Sequence, residues 1–98
     1  MRIYIPADLG DVKELAAGGL LRKERIVPVA EDEDAEFEAF SRAGALGPAV
    51  VSAEVDAPDA PVGFSQVVSF HVDEDGSGDL AWYATQEVDQ VLLILRRN

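Results

Sequence analysis

Hydrophobic and polar positions along the chain change period from segment to segment. Val68, Phe70 and Val72 alternate with Val67, Ser69 and His71, the two-residue period of a strand. Asp73 to Asp79 interrupt it with residues that tolerate turn dihedrals. Leu80, Trp82 and Ala84 then alternate with Ala81, Tyr83 and Thr85, a register that assigns Trp82 to the core and Tyr83 to the opposite side. Beyond Thr85 the period lengthens. Val88, Val91, Leu92 and Leu95 stand at i, i+3, i+4 and i+7, one stripe of a helix. Thr85 suits an N-cap, Glu87 and Asp89 lie near the positive end, and Arg96 and Arg97 near the negative end. Leu93 or Ile94 falls outside that stripe, a surplus of apolar surface suited to a dimer contact.

The earlier part of the chain alternates the two periods. Arg2 to Ile5 reads as a strand ended by Pro6. Asp8 or Asp11 caps a helix whose apolar face is Leu9, Val12, Leu15 and Ala16, and Gly18-Gly19 supplies its left-handed stop. Arg25 to Ala30 reads as a second strand, held to a sheet edge or a strand end by Pro28. A second helix follows with Phe37, Phe40 and Ala43 inward. Ala49 to Val55 is the next strand, with Val51, Ala53 and Val55 inward, and Asp56 to Gly63 a surface loop. The order β-α-β-α-β-β-β-α predicts a single α+β domain over residues 1–98. Its expected form is a two-layer sandwich, a mixed five-stranded sheet with helices on one face, including one right-handed crossover between parallel strands.

Charge narrows the classes of partner. Eight basic against nineteen acidic residues leave a net charge of -11. Such a field repels nucleic-acid phosphates and anionic membranes and favours a basic protein partner. No apolar run approaches the roughly 18 residues of a membrane span. Met1-Arg2 leads into an apolar run too short for a signal peptide, so a cytoplasmic location is expected. Without cysteine there are no disulfides, thiol nucleophiles or thiolate metal sites. An apolar fraction of 48% argues against disorder and leaves room for a homodimer contact. Gly18-Gly19 follows a helix and Gly76-x-Gly78 sits in a hairpin, so neither cradles phosphate, and no cofactor is implied.

Three constellations could carry chemistry. His71, the one histidine, shares a strand face with Asp73 and adjoins Glu74, a candidate metal site or acid–base pair. Tyr4, Glu54 and Tyr83 are candidates for the facing side of a pocket around it. Asp73-x-Asp75-Gly76-x-Gly78-Asp79 has the composition of a calcium loop, but position 12, where a bidentate Glu belongs, is Ala84. Glu31, Asp32, Glu33, Asp34, Glu36 and Glu38 crowd one helix start, more carboxylates than the helix dipole needs, and form a candidate surface for a cationic partner.

Several motifs together resemble a family of short uncharacterised actinobacterial proteins. These are Met1 to Ala7, Asp34-Ala35-Glu36-Phe37, Val50 to Asp56, His71-Val72-Asp73-Glu74, and Asp79 to Tyr83 before Glu87. The segment between the last two motifs, Asp75 to Gly78, is shorter here than in that family. The resemblance implies no activity. Two readings of function follow from the residues themselves. The first is a non-enzymatic acidic binding or regulatory module for a basic protein partner. The second is a small metal-dependent enzyme or ligand-binding protein centred on His71, Asp73 and Glu74.

Overall fold

A computed structural model describes residues 1–97. Four strands form one antiparallel sheet in the order β1-β2-β3-β4: β1 Arg2–Ala7, β2 Ala49–Glu54, β3 Val67–Val72 and β4 Ala81–Tyr83. Three helices, α1 Leu9–Ala16, α2 Glu33–Gly44 and α3 Val88–Arg97, complete the α+β fold. No helix among the described residues is long and apolar enough to cross a membrane.

The expected fifth strand reduces to one residue. Of Arg25 to Ala30, only Ile26 joins the sheet, exchanging both backbone hydrogen bonds with Tyr4 at 2.8 and 3.0 Å. Pro28 has no N–H to continue a ladder. Arg25 is turned instead towards the carbonyls of Lys23, Pro58 and Ala60. With that strand gone the sheet has no parallel pair. Pro6 does not end β1, which runs on to Ala7. Tyr4 turns its N–H and C=O outward to Ile26, and the two-residue period turns Pro6 outward as well. Its missing donor therefore costs no bond to β2.

Helices cover both faces of the sheet, not one. On one face Ile3, Ile5, Val51, Phe70 and Val72 meet Val12 and Leu15 of α1 and Val91, Leu92, Ile94 and Leu95 of α3. On the other face Tyr4 and Val50 meet Ala39 and Ala43 of α2, with Ile26, Phe40 and Leu80 packed around them. Asp8 caps α1 in a reciprocal box with Asp11, each carboxylate accepting the other's backbone N–H at 3.0 Å. Gly18, at a φ of +91°, ends it. Gly47 allows the chain between α2 and β2 to pass the β1 backbone, since a Cβ there would stand 3.1 Å from the Ala7 nitrogen.

The α2 stripe differs from expectation. Ala35, Ala39 and Ala43 are buried, Phe40 is half-buried and Phe37 is 69% exposed. Small side chains at i, i+4 and i+8 let the helix lie close on Tyr4 and Val50, and the phenylalanines flank that contact. In α3, Leu93 is 53% exposed while Ile94 is buried in the protein's own core. A dimer contact on this helix has one apolar side chain to build on.

Candidate functional site

Packing of α2 over β1 and β2 leaves the β3–β4 half of that sheet face only partly covered, with Ser69 buried, His71 half-buried and Trp82 exposed. The strand registers set what stands there. Tyr4, Ser52 and Ser69 form one cross-strand row; Pro6, Val50, His71 and Trp82 form the next. A shift of register between Ser52 and Ala53 brings Val67 into the larger core and turns Val68 out at 39% exposure. An unbroken alternation would set Val68 on the same face as Phe70 and Val72.

Between α2 and these rows lies a cleft of about 320 Å³. Ser52, Ser69 and His71 are its floor, Phe37 and Phe40 one wall, and Trp82 and Val68 the opposite rim. Arg2, Tyr4 and Glu36 stand at one end. Arg2 and Glu36 also line a second cleft of about 370 Å³ that reaches Met1, Glu31 and Glu54, so the two clefts adjoin.

Trp82 is 62% exposed on this face, while Tyr83 packs against the larger core. The pairing of Leu80 and Trp82 on one side does hold, but theirs is the α2 side. A two-residue period tells which residues share a face and not which face is the deeper one.

Tyr4, Arg2 and His71 each have a polar partner at the cleft. The Tyr4 hydroxyl donates to Glu36 Oε1 at 3.0 Å, and burial, followed by that hydrogen bond and the Glu36 charge, holds its pKa above the ordinary value. Arg2 Nε donates to Glu54 Oε1 at 2.9 Å, and the N-terminal ammonium lies 3.3 Å from Glu54 Oε2. The Arg2 bond is the main cause that lowers the Glu54 pKa. Ser69 Oγ and His71 Nε2 are 2.9 Å apart. The imidazole also meets the Phe40 ring edge-on, with centroids 4.7 Å apart. Burial of the imidazole disfavours its charged form and lowers its pKa. Ser69 is 4% exposed, which fits a structural tie better than an attacking nucleophile.

The expected constellation around His71 does not assemble. Asp73 Oδ1 accepts the backbone N–H groups of Asp75 and Gly76, and its Oδ2 that of Gly78, so the carboxylate braces its own turn. Glu74 lies beside the Tyr83 hydroxyl, raising that group's pKa, away from the imidazole. Among the described residues, no three His, Asp or Glu side chains are grouped to hold a metal ion. Of the residues proposed to face His71, Tyr4 stands at the cleft, Glu54 lines the adjoining one and Tyr83 packs on the far side of the sheet.

The acidic run is split in role. Asp32 Oδ1 accepts the Ala35 N–H at 2.8 Å as the N-cap of α2, and Glu36 takes the Tyr4 hydroxyl. Glu31, Glu33, Asp34 and Glu38 are exposed. Phe37, Phe40, Val68 and Trp82 were not among the expected site residues. The available signal was an aromatic pair at i, i+3 on a helix whose alanines repeat at i, i+4, i+8. Compared with known proteins, the chain matches no family model, no curated protein and no solved structure.

Proposed function

We propose that this protein is a non-enzymatic binding module that takes a basic segment of a protein partner in the cleft beside α2. One observation carries the reading: Phe37 and Trp82, exposed aromatics from two different elements, flank a single cleft on a half-covered sheet face. Exposed aromatic side chains that a partner can bury are where binding energy concentrates. Charge then selects the occupant. The Glu36 carboxylate stands at the cleft, Glu33 and Asp34 are exposed in the first turn of the same helix, and the chain carries -11 overall. A lysine or arginine stem can lie on the aromatic rings while its head reaches a carboxylate, with cation–π attraction added. The long-range field speeds association and rejects acidic competitors. Asp73 is bound to the backbone of its own turn, and the metal-dependent alternative has no comparable support.

Calorimetric titration with lysine- and arginine-rich peptides, and with the same peptides carrying glutamate and aspartate instead, tests the proposal. The basic set should bind at low salt and weaken as salt rises; the acidic set should not bind. Phe37→Ala and Trp82→Ala should each weaken binding about tenfold or more, the size of an aromatic hot spot. Equal binding of both peptide sets, or affinity untouched by both substitutions, overturns it.

A further inference from the structure

The two edges of the sheet are finished differently. At β1 the outward groups of Tyr4 are taken by Ile26, and Pro6 has no N–H to offer. At β4 no neighbour follows in the sheet order among the described residues. Every second residue of an edge strand turns both its N–H and its C=O away from the sheet, a template for another strand. In β4, Ala81 and Tyr83 are half-buried and Trp82 is exposed, so the strand is accessible. Shortness is one protection against self-association here, three residues or roughly 10 Å.

Charge is the other protection. Asp73, Glu74, Asp75 and Asp79 precede the strand, and Glu87 and Asp89 follow it. A second copy pairing here would set acidic residues against acidic residues at both ends. A basic strand would meet the opposite sign at both ends, which favours it over self-pairing.

We infer that the partner's segment binds extended, as a fifth strand on β4, with alternate side chains over the cleft beside Trp82. This deepens the binding-module reading and rests on it. His71 and Trp82 are cross-strand partners on the cleft face. The next residue outward in that row therefore belongs to the incoming segment, and a lysine there lies against the indole. Main-chain bonds add affinity to that of the aromatic contacts, and the cleft selects the side chains, as in strand addition.

The test uses a short peptide of alternating lysine and valine and two N-methylated forms, one methylated on the lysine nitrogens and one on the valine nitrogens. In an added strand only one set of N–H groups faces β4. One methylated form should lose affinity about tenfold or more, as ladder bonds disappear, and the other should keep it. Slowed amide exchange within Ala81–Tyr83 should accompany binding of the parent peptide. Equal affinity, or equal loss, in the two methylated forms overturns strand addition. If the alternating peptide fails to bind while a helical alanine–lysine peptide binds, the extended mode falls and the binding module stands. If neither basic peptide binds, both fall.

Discussion

Single side chains separate what folds this protein from what it presents to a partner. Phe70 is fully buried beneath α3 and beside Phe64, with ring centroids 6.3 Å apart. Phe70→Ala should cost about 3–5 kcal/mol in denaturant unfolding. Phe37→Ala, at an exposed position, should stay within about 0.5 kcal/mol of wild type. His71 joins the two roles. Its folded pKa lies below the ordinary value of 6.5 because burial disfavours the imidazolium. The unfolded chain thus binds the proton first as pH falls, and stability contributed by the neutral ring is lost progressively below about pH 6.5. The lowered carboxylates of Asp8 and Glu54 have ordinary values of 3.8 and 4.5, so their contributions persist until pH falls through still lower folded values. Thermal unfolding of wild type and His71→Gln should therefore diverge between about pH 6.5 and 4.5, with wild type losing more. Parallel curves across that interval would show that the imidazole titrates freely.

At the scale of elements, α3 is required and the α2–β2 turn is tight. Truncation after Gln90 removes buried Val91, Leu92, Ile94 and Leu95. At about 1.5–3 kcal/mol each, that loss is comparable to the whole stability of a small domain, so circular dichroism should show an unfolded chain. Gly47→Ala forces a methyl against the Ala7 backbone and should lower stability by about 1–3 kcal/mol. Much of this level was legible in the sequence. The alternation around Phe70 and the 3.6-residue stripe ending at Leu95 identify their own elements, and Asp8 with Asp11 marks the first helix start. Arg25 to Ala30 misled because an apolar run with one proline satisfies a strand pattern, while ladder membership depends on donors and neighbours. Phe37 and Phe40 misled because hydrophobicity favours the largest side chains, whereas close approach of a helix to a sheet selects alanines. The cleft combines one residue turned out by a register shift, Val68, with another whose face was misassigned, Trp82. Neither follows from local periodicity.

Across the whole molecule, the sheet is closed on one face by α1 and α3 and half closed on the other by α2, and the chain as a whole carries a net charge of -11. That asymmetry is the basis of the binding proposal. The protein contains a built-in reporter, because Trp82 is its single tryptophan and stands on the rim of the cleft. Intrinsic fluorescence titration with a lysine- and arginine-rich peptide is therefore the most direct measurement. Occupation of the cleft should shift the Trp82 emission to shorter wavelength as the indole leaves water, in a saturable manner that high salt reverses and Phe37→Ala weakens. Saturable binding of the same peptide in calorimetry with no change in Trp82 emission would place the partner elsewhere and contradict the account.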